Sequence, residues 1–167
     1  MHKVKKNNSF NTLRQLYLLN NKNKYPTLPD YARFAPLYTD KTTNGLTKCV
    51  TDFLKLNHCF VERTGNQGRI IDNRKRFTDS LGNIRTTGTL KRIYSTSKRG
   101  TSDLKAIING KFVAIEIKCL TTNDRQSKYQ KKYQKEVEQA GGIYLIVPTF
   151  ECFYTWFIEY TKGANHE

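Results

Sequence analysis

The feature that most constrains this chain is the dipeptide Asn109-Gly110, which separates two runs rich in β-branched and other apolar residues. Asn-Gly in this setting predicts a two-residue type I′ turn, because both turn positions need positive φ. A turn of that length fixes the register of the two strands, and counting outward from it places Asp103 directly opposite Glu116. The sequence therefore predicts a β-hairpin that holds two carboxylates as cross-strand neighbours.

Two opposed carboxylates favour a metal site. Opposed Cβ atoms lie about 4.5–5.5 Å apart, where like charges destabilise a hairpin unless a cation sits between them. Oxygen ligands of this kind suit Mg²⁺ or Mn²⁺. Lys118 comes two residues after Glu116 and therefore projects from the same face of the strand. The alternative is a solvated hairpin edge, but Glu116 and Lys118 interrupt an otherwise apolar strand, which argues for a site.

The segments around the hairpin alternate between strands and helices. The hydrophobic spacing predicts a helix over 46–56, strands over 59–63, 103–108 and 111–119, a helix over about 126–140, a strand over 143–147 and a helix over 150–160. In the helix over 126–140, Tyr129, Tyr133, Val137 and Ala140 recur at helical spacing and predict one inward stripe. This order of elements predicts a mixed α/β fold.

Two other segments differ in composition. Residues 1–42 are rich in Asn, Lys, Tyr and Pro, which predicts a basic arm with regular structure only over 12–19. Residues 69–99 hold nine basic and two acidic residues around short turns, which predicts an inserted basic β-hairpin or meander. We therefore expect an arm over 1–42, one domain over 43–162 and a tail over 163–167. The arm could follow a phosphate backbone, bind a partner protein or remain solvated.

The formal net charge of +15, from 29 Lys and Arg against 14 Asp and Glu, predicts a polyanionic partner. Nucleic acid is favoured over membrane, since no stretch approaches about 18 uninterrupted apolar residues. The alternative is a basic protein without such a partner. The side chains predicted to contact nucleic acid are Arg69, Arg74, Lys75, Arg76, Lys91, Arg92, Lys98 and Arg99.

The N-terminus lacks the apolar region of a secretory signal, so a cytoplasmic location is expected. Four cysteines lie far apart without the paired spacing of a zinc site, which predicts reduced, mostly buried thiols.

Three motifs follow one another in the C-terminal half: KRGTSDLKAIINGKFVAIEIKC, with a glycine before the Asp and an E-x-K after the turn, the glutamine-bearing helix DRQSKYQKKYQ, and the strand EQAGGIYLIV. Their order resembles the PD-(D/E)XK nuclease superfamily, and within it the VRR-NUC and Holliday-junction-resolvase-like branch of small phage and prophage nucleases. The resemblance covers about residues 44–158. It implies a restriction-endonuclease-like mixed β-sheet flanked by helices.

The resemblance also implies roles for four residues. Asp103 and Glu116 would ligate Mg²⁺ or Mn²⁺, Lys118 would position the nucleophilic water or stabilise charge, and Gln130 would orient the site.

The choice of Gln130 over Gln126 and Gln134 rests on that family, because Gln130 lies eleven residues before Gly141. The alternative is a plain solvent-exposed helical glutamine. Many members also carry a Glu on the first core helix, whereas the corresponding TTNGLTKC has none. Either Asp52 or Glu62 substitutes for it, or metal affinity is lower.

The expected function is that of a metal-dependent endonuclease that hydrolyses phosphodiester bonds in DNA, branched or junction DNA included. It would act in the host cytoplasm if phage-encoded, and a symmetric homodimer would suit junction cleavage. The alternative is a nucleic-acid-binding or virion-associated structural module with a nuclease-like fold and little or no activity. RNA in place of DNA is a weaker alternative.

Overall fold

A computed structural model describes residues 8–65, 69–93, 98–122 and 124–163. Over these ranges the predicted mixed α/β class is confirmed. The helices are α1 (Asn8–Lys24), α2 (Thr43–Leu56), α3 (Lys128–Gln139) and α4 (Phe150–Gly163). The strands are β1 (Phe60–Arg63), β2 (Arg69–Asp72), β3 (Lys75–Thr78), β4 (Ile84–Thr87), β5 (Leu90–Ile93), β6 (Leu104–Ile108), β7 (Lys111–Ile117) and β8 (Ile143–Val147).

The main sheet has the strand order β1-β6-β7-β8. The β1/β6 and β6/β7 pairs are antiparallel, whereas β7 and β8 are parallel, so the sheet is mixed. Side chains alternate across β7: Val113, Ile115 and Ile117 join the large core with α1, α2 and α4, while Ala114 packs with Val137 of α3. The sheet therefore separates a large apolar layer from a thinner layer under α3.

The hairpin register agrees with the prediction at every described pair. Asn109 and Gly110 both have positive φ, 48° and 73°, as a type I′ turn requires. Pairing runs from Ile108 with Lys111 to Leu104 with Ile115. The turn chemistry thus decides which side chains of β7 face α3.

Helix α1 is longer than the predicted helix over 12–19 and packs on the core. Leu13 is fully buried, and the ring of Phe10 lies 5.2 Å from that of Phe150 in α4. Its buried face contacts α2 and α4, which are distant in sequence, so local pattern alone does not reveal it. Residues 1–7 of the predicted arm and 164–167 of the predicted tail lie outside the described ranges.

The predicted inward stripe of α3 is wrong at its two ends. Val137 is buried and Tyr133 is half-buried, but Tyr129 is 42% exposed and Ala140 is exposed. The helix begins at Lys128, so Tyr129 sits in the first turn, where the guanidinium of Arg99 lies 5.3 Å from its ring centroid.

The basic segment forms the predicted hairpin structure, with β2 paired to β5 and β3 paired to β4. We call residues 69–93 the ribbon. Residues 94–97 of the predicted segment are not among those described.

No helix in the described ranges is long and apolar enough to cross a membrane. The four cysteines form no disulfide bond in the described ranges. Cys49 and Cys119 are buried, whereas Cys59 is half-buried and Cys152 is exposed.

Candidate active site

The two predicted carboxylates meet at the open end of the hairpin. One step beyond the last described pair, the register sets Asp103 opposite Glu116. Asp103 Oδ2 accepts a hydrogen bond from the backbone N–H of Ile117 at 2.9 Å, which holds the side chain against β7. Glu116 is only 1% exposed and shares the α3 side of the sheet with Ala114.

Glu116 is surrounded by hydrogen-bond donors. Its Oε1 accepts from Lys118 Nζ at 3.1 Å and from Gln130 Nε2, and its Oε2 accepts from the Tyr144 hydroxyl at 3.5 Å. Lys118 Nζ also lies 2.7 Å from Asp124 Oδ2. The structure therefore brings Glu116, Lys118 and Gln130 into direct contact beside Asp103.

Burial controls the electrostatics of this cluster. Burial raises the pKa of Glu116 to about 7, and the charge of Asp103 adds to that shift, while Lys118 opposes it. Burial alone would lower the pKa of Lys118, but its contacts with Asp124 and Glu116 outweigh burial and leave that pKa raised. Lys118 is thus a permanent cation at neutral pH.

Gln130 serves both the helix and the site. It is the third residue of α3, and its Oε1 accepts from the backbone N–H of Ser127 at 2.7 Å, which completes a capping box. This contact turns the amide nitrogen toward Glu116. Gln126 and Gln134 bond to each other instead, at 2.8 Å. The contacts therefore distinguish Gln130 from both neighbours.

Gly100 sets the spacing between the segment that carries Asp103 and helix α3. It adopts φ +79°, and a Cβ built there would lie 2.4 Å from both the carbonyl carbon and the oxygen of Tyr129, and 2.7 Å from the Gln130 nitrogen. Only glycine tolerates that φ without strain and that approach without a clash. The glycine before Asp103 is therefore a packing requirement of the site.

Thr64 directly follows β1 and lies opposite Asp103, to whose carbonyl oxygen it donates its N–H at 2.8 Å. Its buried Oγ1 has no hydrogen-bond partner among the described residues. Strand alternation places that hydroxyl on the α3 side of the sheet, with Glu62 and Lys105. A buried hydroxyl with no partner among the described residues, on the same face of the sheet as Asp103, suits a water of a hydrated cation.

The donor set fits a hard divalent cation that keeps much of its water. Over the described ranges no three His, Cys, Asp or Glu side chains converge as a metal site, so Asp103 and Glu116 stand as a pair. Mg²⁺ is commonly held by one or two carboxylates together with waters and substrate phosphates. Two carboxylates fit that ion and would not complete the ligand shell of a structural zinc.

The structure separates the two candidates for a third carboxylate. Asp52 accepts from Lys48 at 2.7 Å and from the Tyr38 hydroxyl at 3.1 Å, on a helix that packs against the opposite face of the sheet. It therefore does not replace the missing helix Glu. Glu62 of β1 pairs with Lys105 of β6, on the same side of the sheet as Glu116, and is exposed.

The predicted nucleic-acid contacts fall into two groups. Six are on the ribbon: Arg69, Arg74, Lys75, Arg76, Lys91 and Arg92. Lys98 and Arg99 lie beside α3, where Lys98 contacts Glu136 and Arg99 covers the Tyr129 ring.

Sequence reasoning missed Asp124, Tyr144 and Thr64, whose proximity to the site depends on tertiary packing. The capping box had a readable signal in its S-x-x-Q spacing at 127–130.

No family model and no curated protein sequence matches the chain.

Proposed function

We propose that the protein is a metal-dependent endonuclease that hydrolyses phosphodiester bonds in DNA, on a restriction-endonuclease-like version of its mixed α/β fold. The observation that carries the proposal is Glu116, a carboxylate 1% exposed inside a central strand, opposite Asp103 and contacted by Lys118 and Gln130. Burying such a group costs stability, which favours a functional reason for its presence. The motif resemblance and the positive net charge support the same function.

Asp103 and Glu116 are the residues that would hold Mg²⁺ or Mn²⁺. When bound, the cation supplies Lewis-acid polarisation of a phosphoryl oxygen and activation of water. The chain's own groups prepare the rest of the site. Ile117 N–H fixes Asp103, while Gln130 fixes the Glu116 carboxylate.

Lys118 acts as a fixed positive charge in this proposal. Its ammonium is held by Glu116 and Asp124, which keep it protonated, so it stabilises the negative charge that builds on the phosphoryl oxygens. It does not serve as the base. In the reaction, a water oxygen bonds to phosphorus as the ester P–O bond breaks. The water loses a proton to solvent, and the departing oxygen takes one up.

The direct test is incubation of the purified protein with supercoiled plasmid and with branched DNA, in Mg²⁺, in Mn²⁺ and in a chelator. We expect nicked or linear products only when one of the two metals is present. Cleavage that persists in the chelator, or intact DNA under all conditions, would contradict the proposal.

A second candidate is a nucleic-acid-binding or virion-associated structural module with little or no activity. It gains support because the first turn of α2 has no acidic residue and because the two carboxylates have no third partner among the described residues. A protein that binds DNA tightly and never nicks it with Mg²⁺ or Mn²⁺ would establish this alternative.

The raised pKa of Glu116 predicts a pH-dependent stability. Because the folded pKa is about 7 against an ordinary 4.5, the folded state holds a proton that the unfolded state has lost, and metal-free stability falls as pH rises through this window. For a group this buried, the fall is on the order of 3 kcal/mol. Urea denaturation of wild type and Glu116→Gln between pH 5 and 8 measures it. The variant should lack this contribution, and Mg²⁺ should restore stability at pH 8 in wild type alone. Matching pH profiles would contradict the assignment.

The substitution Gln130→Glu separates the role of this residue in capping α3 from its role as a donor to Glu116. Glu at this position keeps the acceptor for Ser127 but replaces the donor to Glu116 with an oxygen. We expect a loss of about 10–100-fold in Mg²⁺ affinity or cleavage, as for other groups that orient metal ligands, together with lower metal-free thermal stability because two carboxylates then face each other. Gln134→Glu, one turn along α3, is the matched control. Equal losses in both variants would remove Gln130 from the site.

A further inference from the structure

The ribbon ends in exposed apolar side chains. At its tip, residues 79–84, Leu81 is 82% exposed and Ile84 is 76% exposed, and neither belongs to the apolar clusters of the described core. A single exposed apolar side chain is ordinary on a protein surface, whereas two that lie three residues apart at the tip of a basic element are open to contact by the same partner. The tip therefore offers apolar contact to an occupant.

The tip is rigid. Asp79 Oδ1 accepts from the N–H groups of Leu81 at 3.0 Å and Asn83 at 2.9 Å, while Oδ2 accepts from Arg85 Nε at 2.6 Å. Gly82 supplies the left-handed turn, with φ +82°. These bonds hold Leu81 outward before any partner arrives, so little ordering free energy is lost on binding.

The charges behind the tip identify the chemistry of the partner. The ribbon carries seven basic residues and two acidic ones, and each acid is already bound by an arginine, Asp72 by Arg74 and Asp79 by Arg85. The other basic side chains are Arg69, Lys75, Arg76, Lys91 and Arg92. A 25-residue element with this balance complements a polyanion.

The positive charges occupy both faces of the ribbon. Neighbouring residues of a strand point to opposite faces, so Lys75 and Arg76 of β3 lie on different faces, as do Lys91 and Arg92 of β5. A membrane surface or a flat protein surface would contact only one face. A nucleic-acid groove has phosphates on both walls and would contact both faces of the ribbon. The major groove of DNA is wide enough to admit a two-stranded ribbon.

We infer that the ribbon enters a DNA groove and that Leu81 and Ile84 form an apolar wedge at a base step. Wedging a continuous duplex requires unstacking, which costs free energy. A fork, flap or junction offers a step that is already open, so the wedge favours such DNA. The inference rests on the proposed function only in taking DNA as the substrate, and it assigns the recognition of an open base step to Leu81 and Ile84.

The test measures binding of the full chain carrying Glu116→Gln, which prevents cleavage, to a fork and to a continuous duplex of the same sequence. A 2-aminopurine beside the branch point reports unstacking. We expect a fork preference of about tenfold, which the added changes Leu81→Ser and Ile84→Ser reduce to within about twofold, together with loss of the fluorescence rise. Leu37→Ser is the control, because Leu37 is 85% exposed outside the ribbon. The double change Lys75→Gln and Arg76→Gln should weaken binding to the fork and binding to the duplex by the same factor.

Equal affinity for fork and duplex, or a preference that survives the tip substitutions, would overturn the inference. Tip-dependent binding to anionic vesicles without fork preference would assign the tip to a membrane instead. Metal-dependent cleavage by wild type with no fork preference would leave the proposed function intact. Tip-dependent fork binding by a protein that never cleaves would support the inference and contradict the proposed function.

Discussion

Glu116→Gln is expected to lower metal-dependent DNA cleavage by about 1,000-fold, because a cation at this site contributes several kcal/mol to the transition state. The substitution keeps the size of the side chain and its acceptor for Lys118, but removes the charge that holds the metal. Initial rates of plasmid nicking at saturating Mg²⁺ measure the effect. Asp103→Asn should act in the same direction.

Binding in the presence of a chelator is the internal check on that result. Both variants should still bind DNA close to the wild-type level, because phosphate contacts come from basic side chains elsewhere in the chain. Glu159→Gln, an exposed carboxylate on α4, should leave cleavage unchanged. Undiminished cleavage by both site variants would exclude the carboxylate pair as the metal site.

Gly100→Ala is expected to reduce stability and cleavage together. The added methyl would meet the Tyr129 carbonyl at 2.4 Å, and backbone cannot move aside as a flexible side chain does. Left-handed strain and over-packing together cost about 2–5 kcal/mol. Since α3 must shift to make room, Gln130 should lose its contact with Glu116, and cleavage should fall even under conditions where the variant is folded.

Gly141→Ala is the matched control for that experiment. Gly141 has the same φ of +79°, but nothing lies within 4 Å of a Cβ built there. We expect only the left-handed strain, about 1–2 kcal/mol by urea denaturation, and cleavage at the wild-type rate. If both variants lose the same stability and the same activity, close approach at Gly100 is not what positions α3.

The hairpin was predictable because its information is local. Two residues with positive φ determine the turn, the turn determines the register, and the register brings Asp103 to Glu116. The same holds for the capping box of α3, whose Ser127 and Gln130 are three residues apart. Local chemistry of this kind can be read from a single sequence.

Contacts between distant segments were not predictable in the same way. The burial of Leu13 depends on α1 meeting helices far along the chain, and Asp124 reaches Lys118 only after a short 3-10 turn over Leu120–Thr122. Tyr144 reads as an ordinary strand aromatic until the parallel pairing of β8 sets it beside Ala114. No local pattern encodes these distances, because packing decides them.

The two-residue turn also limits which length changes the hairpin can survive. A single inserted residue must be absorbed by a longer, bulged turn, because a one-residue slip of β7 against β6 would move Glu116 into the large apolar core and turn Ile115 and Ile117 toward α3. Inserting two residues, one on each side of the turn, would lengthen both strands and return every side chain to its own face. Relatives of this protein should therefore keep the two faces of β6 and β7 and confine any odd length change to the turn itself, a pattern that an alignment would test.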